Sequence, residues 1–343
     1  MLILPSVSII IPVHNGGESF CRCLSSIQDC VSSSVEVIIA VDGGTDESLT
    51  IARRFAQTFG AKVLHAPVAA GPARARNLGA QAASGEILFF VDADVTLHAD
   101  TVSQVVSTFQ SHPHLAALIG SYDDAPGSPN FLSQYKNLFH HYTHQTSCED
   151  ASTFWGACGA IRRDVFFELG GFDQAYRFPS VEDIELGYRL KRAGHRILLC
   201  KTVQVKHLKR WQCVSLLKAE IFYRAIPWTE LIWRDRAFVN DLNLKISSRI
   251  SLLLTYALLM AVIAAIWWTN SLMIAGILAL VLFSINRAVY QFFWQKRGFW
   301  FACCVVPWHW LYFLYSGIAF AIGTLRYRFM SHPKAAKVLA AKV

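Results

Sequence analysis

The stretch GEILFFVDADV, residues 85–95, ends an apolar run on two aspartates, Asp92 and Asp94. In an extended strand, residues two apart point to the same side, so both carboxylates are expected to face one small volume. Like charges held that close repel, unless a cation or a set of donors sits between them. A second acidic pair, Glu182-Asp183, opens the helical run EDIELGYRLKRAG. Taken locally, acids in a first helical turn simply complement the helix dipole, by roughly 0.3–1 kcal/mol. In FHHYTHQTSCED (139–150), His140, His141 and His144 have a helical spacing that looks metal-like. Their interleaving with aromatics favours an interfacial helix over a ligand set. KHLKRW (206–211) adds His207, Arg210 and Trp211, and one reading of it is a basic surface that meets anionic lipid.

The elements that would position these groups follow from periodicity. VSIIIPV (7–13), EVIIAVD (36–42), KVLHAP (62–67) and EILFFVDAD (86–94) are apolar, strand-length runs, and helical stretches separate them. The first helix extends to about Cys30. The second, DESLTIARRFAQTFG, has Asp46 near its N-cap and Gly60 as its stop. The third, GPARARNLGAQAASG, has Pro72 in its first turn and Gly85 beyond its end. This alternation predicts an α/β fold, a mostly parallel sheet with helices on both faces. Ligands of such sheets bind beyond the carboxyl ends of the strands. Asn15, Asp42 and the Asp92/Asp94 pair all fall at those ends, and DDAPGSPN (123–130) is the clearest loop.

Composition adds a second environment. The 343 residues are 53% hydrophobic, with the apolar excess beyond about Asp241. ISLLLTYALLMAVIAAIWW (250–268), at 19 residues, suffices to cross a hydrocarbon layer of roughly 30 Å. Thr269-Asn270 forms a turn, and SLMIAGILALVLFSI (271–285) returns, giving a membrane hairpin. A third run, 299–323, contains Pro307 and His309 and reads either as a full span or as a re-entrant segment. The net charge is +8, and ten Lys/Arg face four acids between Lys201 and Arg249. Positive loops stay on the cytoplasmic side, which places the globular part and the basic tail there. An even number of crossings then follows, in conflict with a fully spanning third segment. Nucleic-acid binding is disfavoured, because the basic residues flank apolar segments rather than a soluble face. No signal peptide is expected ahead of the first strand, the nine cysteines show no Cys-x-x-Cys pair, and they are expected to be free thiols.

Five ordered blocks then resemble the family 2 glycosyltransferases, whose catalytic domain has the Rossmann-like GT-A fold. They are VSIIIPVHNGGESFCRCLSSI, EVIIAVDGGTDES, GPARARNLGAQAASGEILFFVDADV, FWGACGAIRRDVFFELGGFD and SVEDIELGYRLKRAGHRI. The resemblance covers roughly residues 5–215. It implies that Pro12, His14 and Asn15 lie beside the nucleobase and that Asp42 binds base or ribose. The family's paired acids at that point are reduced here to a single Asp42 before Gly43. Arg74 and Asn77 would sit near the nucleotide of a UDP- or GDP-type sugar donor, with Arg76 weighed equally against an exposed helix face. Asp92-Ala93-Asp94 corresponds to the metal motif: Asp92 lies on the ribose side and is a metal ligand with Asp94, which ligates Mg²⁺ or Mn²⁺, and Ala93 leaves room for substrate. Asp183 is implied as the general base, oriented by Glu182, in a single inverting displacement. Arg210 and Trp211 would clamp the diphosphate, with His207 a further metal or phosphate ligand.

The expectation is therefore a GT-A catalytic domain over 1–225, an amphipathic interfacial segment over 226–248, a membrane region over 249–325 and a basic tail over 326–343. The acceptor is expected to be a hydroxyl of a lipid or lipid-linked molecule at the cytoplasmic membrane face. A polyprenyl-phosphate acceptor and a catalytically inactive nucleotide-binding membrane adaptor are the alternatives. A nucleotidyltransferase is disfavoured, because PVHNGGESF supplies no basic glycine-rich phosphate loop.

Overall fold

In β1 (Val7–Val13) every residue is buried, and β2 (Glu36–Asp42) is buried at all but its first. Both strands keep the bounds read from their apolar runs, because β-branched side chains covered on two faces need no alternation. The computed structural model describes residues 5–31, 35–236 and 238–330, and it divides into two compact units, Met1–Gln212 and Cys213–Val343.

In the first unit the remaining strands are β3 (Lys62–Ala66), β4 (Ile87–Val91), β5 (Val95–Leu97), β6 (Ala117–Tyr122), β7 (Cys158–Arg162) and β8 (Ile197–His207). Their order across the sheet is β3-β2-β1-β4-β7-β6-β8-β5. β1, β2, β3, β4, β6 and β8 run one way, and β5 and β7 run against them. The helices are α1 (Gly17–Cys30), α2 (Ser48–Phe59), α3 (Pro72–Ala82), α4 (Thr101–Ser111), α5 (Phe131–Gln145), α6 (Arg163–Glu168) and α7 (Glu182–Arg192). Strand alternation feeds two cores. Ile9 and Ile11 of β1 pack with Phe20 of α1, Phe55 of α2 and Phe109 of α4. Ile10 packs on the other face with Ala73 and Ala80 of α3, Phe166 of α6 and Leu186 of α7. Helices thus cover both faces, as expected. Gly60 ends α2 in the left-handed conformation, φ 83°, where a residue without Cβ avoids strain.

Two expectations change here. β4 stops at Val91, so Asp92 and Asp94 are not strand residues: Val95 N–H donates to Asp92 O (3.2 Å), closing a tight turn. This turn also bends the sheet. Four strand spacings of about 4.8 Å would put β4 and β5 roughly 19 Å apart on a flat sheet. Four residue steps reach only about 14 Å, so the β8–β5 end must curl back toward β4. The other change concerns α5, which is no interfacial helix. His141 and His144 are buried against β6, where their Nδ1 atoms meet Tyr122 O (2.6 Å) and Gly120 O (2.9 Å).

In the second unit, α8 (Cys213–Lys218) passes through a π-helical turn, Ala219–Ala225, into α9 (Ile226–Asp235). Then come α10 (Ile246–Ala264), α11 (Ser271–Ile285), α12 (Arg287–Arg297) and α13 (Phe299–Met330). α10 and α11 form the expected hairpin. At 15 residues, however, α11 covers only about 22 Å, and it meets α12 at a 64° bend. Asn286 occupies the bend, its Nδ2 donating to Ser251 Oγ of α10 (2.9 Å). The third apolar run is one continuous helix, and Pro307 lies inside it without ending it. Among the described residues, Ile246–Ala264 and Phe299–Phe329 are long and apolar enough to cross a membrane, with the bent pair a third possibility. α9 packs its apolar stripe on α13 instead of lying exposed: Trp228 is buried and Trp233 Nε1 donates to Thr324 Oγ1 (2.9 Å). The division at Gln212 precedes the expected boundary at 225, and the basic tail beyond 330 lies outside the described residues.

Candidate active site around the Asp-x-Asp turn

The turn after β4 sends its two acids to different partners. Asp92 Oδ1 accepts from Arg76 Nη2 at 2.7 Å. Asp94 Oδ2 lies 3.5 Å from His207 Nε2. The second pairing follows from register: β5 and β8 are antiparallel with Val95 opposite His207, and Leu208 N–H donates to Asp94 O (2.8 Å). Burial works against the charge on Asp94, but the imidazole of His207 and the ammonium of Lys209 outweigh it and bring its carboxyl down to about 2. The His207 ring stacks on Tyr122, with centroids 4.4 Å apart and planes 8° from parallel, and its Nδ1 lies 2.6 Å from Asn137 Oδ1.

Arg76 joins this turn to the second acidic pair. Its Nη1 donates to Glu182 Oε1 (2.8 Å), and Glu182 Oε2 accepts from Ser180 N–H (2.9 Å). Burial disfavours the guanidinium charge, but Asp92, Glu182 and Asp183 more than restore it, so Arg76 stays ionised. Gly156 packs against it: a Cβ there would sit 2.9 Å from Arg76 Cζ. The N–H of the same Gly156 donates to Asp183 Oδ2 (3.0 Å). One buried arginine therefore braces the Asp-x-Asp turn, Glu182 and the backbone that holds Asp183. Glu182 is buried and Asp183 half-buried, which suits a support and a group that meets substrate.

The other expected residues have clear placements. Pro12 is buried within β1, whereas His14 and Asn15 are exposed just beyond it. His14 Nδ1 meets Asp42 O (2.8 Å), and Asn15, at φ 51°, accepts on Oδ1 from Thr45 N–H (2.8 Å). Asp42 is 4% exposed, and its carboxylate takes the N–H groups of Ala70 (3.0 Å) and Gly71 (2.7 Å). It thereby ties the loop before α3 to β2. Arg74 is exposed on α3, while Ala93 is half-buried in the turn. Asn77 departs from its expected place beside a nucleotide: its amide clamps both the N–H and C=O of Phe172 (2.9 and 2.7 Å). Asp92 departs in part from a ligand role, because Arg76 holds one of its oxygens. Arg210 is exposed, and Trp211 is buried beneath Lys209 Nζ, 4.6 Å from the ring centroid.

Sequence reasoning weighed Arg74 and Arg76 equally and passed over Asn137 and Tyr122. The signal for Arg76 lay in the stripe Ala73, Arg76, Asn77, Ala80, spaced i, i+3, i+4, i+7. That stripe turns Arg76 inward and Arg74 outward.

A fit to a divalent cation rests on the donor set. Among the described residues no group of three or more His, Cys, Asp or Glu is disposed to hold a metal. Asp94 and His207 offer one oxygen and one nitrogen facing each other. Mg²⁺ in particular is commonly held by one or two carboxylates with the remaining positions filled by substrate phosphates and water. Two protein donors are therefore compatible with Mg²⁺ or Mn²⁺ and too few for a structural zinc site.

A family model described as Glycosyl transferase family 2 matches residues 8–170. Glu182, Asp183 and His207 lie beyond that match. An uncharacterized glycosyltransferase, YibD, of Escherichia coli is 39% identical over 89 residues, 26% of this chain and 26% of its own. Glycosyltransferase AglE of Haloferax volcanii is 36% identical over 108 residues, 31% of this chain and 36% of its own. The pre-mycofactocin glycosyltransferase of Mycobacterium tuberculosis is 26% identical over 225 residues, 63% of this chain and 46% of its own. The chain thus spans less than half the length of each of these relatives. In fold, it is similar to the mannosyltransferase PcManGT from Pyrobaculum calidifontis, solved with GDP-Man and Mn²⁺ (TM-score 0.52, 17% identity, 95% of this chain and 87% of that one). It is also similar to residues 1–349 of S. aureus TarS, solved with UDP-GlcNAc (TM-score 0.53, 18% identity, 67% of this chain and 66% of that one). With the family's pattern running from β1 into α6 and the fold of solved glycosyltransferases repeated around it, residues 8–170 are a family 2 glycosyltransferase domain, and the fold is GT-A.

Proposed function

We propose that this chain is an inverting, metal-dependent glycosyltransferase. It moves a sugar from a UDP- or GDP-type donor to a hydroxyl of a lipid or lipid-linked acceptor at the cytoplasmic membrane face. The observation that carries this reading is the single brace through Arg76, which ties the Asp-x-Asp turn to Glu182 beside Asp183. A divalent ion between Asp94 and His207 would neutralise the charge that develops on the departing nucleoside diphosphate.

The residues of the chain do the rest. Asp183 takes the proton from the acceptor hydroxyl, a step typically contributing about 10²–10⁴-fold. Glu182, fixed by Arg76 and Ser180, keeps the start of α7 in place for it. His14 and Asn15 border the nucleobase, and Arg74 and Arg210, both exposed, contact the phosphates. The lipid acceptor is supported by the two span-length helices and by their outward-facing Leu253, Met260 and Ile318. The basic balance flanking them supports the cytoplasmic face.

The test is a screen of the detergent-purified chain, with Mn²⁺ or Mg²⁺, across nucleotide sugars and a total lipid extract. Release of free nucleoside diphosphate identifies the donor, and mass spectrometry of the lipid identifies the acceptor. Asp94→Ala and chelation are both expected to abolish release. Turnover indifferent to both would refute the metal-dependent mechanism.

A further inference from the structure

Beyond Asp241 the sequence contains no Asp or Glu, while Lys and Arg recur at nearly every helix end. Lys245 and Arg249 open α10, and Arg287 follows the bend after α11. Lys296 and Arg297 precede the corner at Gly298, and Arg326 and Arg328 close α13. The turn without charge is the one at residues 265–270, between α10 and α11. Basic segments stay together on one side of a membrane. A spanning α13 would separate Lys296 and Arg297 from Arg326 and Arg328.

The helix contacts place the start, middle and end of α13 at one level. Asn286 donates to Ser251, the sixth residue of α10 and so about 8 Å from its start. From there α12 runs on at 64° to α11. Its 11 residues measure about 16 Å and advance about 7 Å farther along the direction of α11. The corner at Gly298 therefore comes back to the depth at which α10 begins. In the middle of α13, Leu314 O accepts from Tyr256 Oη (2.7 Å). Helical side chains lean toward the N-terminus, so this hydroxyl reaches back toward the level of Ser251. At the far end, Arg326 Nε lies 2.9 Å from Glu230 Oε1 of α9, and Trp233 Nε1 meets Thr324. α9 precedes α10 and carries Glu230, Arg234 and Asp235, charges that belong outside hydrocarbon on the side from which α10 departs. The aromatic residues agree. Trp308, Trp310, Tyr312 and Tyr315 occupy the middle of α13, the bilayer centre for a spanning helix, whereas Trp and Tyr favour headgroup depth.

We propose that α12 and α13 form an in-plane hairpin, its outer face resting in the headgroup layer of the leaflet from which α10 departs, so that the chain crosses the membrane twice. Trp294, Phe299 and Trp300, exposed beside Lys296 and Arg297, anchor its tip. Two crossings also meet the even number that the basic segments require. The inference rests on the membrane reading proposed above.

The experiment places the full chain in nanodiscs of phosphatidylcholine and phosphatidylglycerol. The exposed and half-buried cysteines are replaced by serine, and buried Cys23 and Cys158 are kept. Single spin labels are introduced through Trp300→Cys, Pro307→Cys, Ile318→Cys and Leu325→Cys, all exposed. Their spacings of 7, 11 and 7 residues keep them on one face of α13. Ile250→Cys, Met260→Cys and Trp267→Cys report on α10. Depth is read from relative collision rates with oxygen and a nickel chelate. The α10 labels are expected to be deepest at Met260→Cys, and the four α13 labels to lie within about 5 Å of one another, the pitch of one turn. A spanning α13 would put the 307 and 318 labels about 10 Å deeper than those at 300 and 325, and that result overturns the inference. If Pro307→Cys fails to fold, Ile318→Cys still decides. A deep label at 260 with a deep label at 318 sinks the in-plane hairpin alone, whereas a shallow label at 260 sinks the membrane reading itself.

Discussion

Replacing Arg76 with methionine keeps the length and bulk of the side chain and removes its charge. What it leaves behind sets the cost. The Glu182 side chain is 5% exposed, so its carboxylate loses its cationic hydrogen-bond partner among the described residues in a place water hardly reaches. Removing one partner of a buried pair typically costs about 3–5 kcal/mol. Proton uptake caps that cost, and for an ordinary glutamate at pH 7 it takes about 3.7 kcal/mol. The Asp92 side chain is 32% exposed, and losing that pairing adds under about 1 kcal/mol. The sum is about 4 kcal/mol. For a unit of this size, each kcal/mol moves the midpoint by about 2–4 °C, so a drop of roughly 8–16 °C is expected. The assay is a thermal melt of the full chain in detergent, followed by near-ultraviolet circular dichroism. Adding Glu182→Gln removes the stranded charge and should recover at least half of the drop, whereas activity stays lost because the turn is no longer braced. A melt of Arg76→Met within about 2 °C of wild type would refute the brace.

Asp183→Asn should retain nucleotide binding and lose about 10²–10⁴-fold in transfer rate, as read by diphosphate release. Full activity would point instead to an acceptor already ionised, such as a polyprenyl phosphate. Gly156→Ala places a methyl 2.9 Å from Arg76 Cζ and should cost about 1–3 kcal/mol together with activity; a variant as stable and active as wild type removes the close-approach argument. Glu36 accepts from Lys62 Nζ, Ser8 Oγ and Ser84 N–H; burial pushes its carboxyl up, but these partners together bring it to about 2. A depressed carboxyl stabilises above the ordinary value near 4.5 and loses that contribution as pH falls toward 2. Glu36→Gln should therefore lower stability at pH 7 by about 1–2 kcal/mol, discounted for the exposed lysine, with the gap closing between pH 4.5 and 2. A gap that widens on acidification contradicts the assignment.

The parallel half of the fold was legible because its signals are local. Apolar runs marked β1 and β2 to the residue, and Gly60 marked the end of α2. The polar groups at the strand ends were visible for the same reason. What escaped depends on pairings remote in sequence. Nothing near Asp94 announces that β8 lies beside it, or that β7 runs against β4. The Asp92/Asp94 pair drew attention through a strand geometry it does not have, and its separate partners emerged only with the sheet. α5 and α9 misled for a shared reason: histidine and tryptophan suit both wet interfaces and tight packing, and only the neighbouring β6 or α13 decides between them.

The short turn that bends the sheet has a consequence for how the site comes into being. Asp94 leaves the ribosome well before His207, and the two can meet only after β8 has docked beside β5. On the proposed function, a nascent chain holding every strand of the parallel half would still be unable to grip its donor. Tight capture of nucleotide sugar should therefore switch on late in synthesis, as a report that the last strand has arrived.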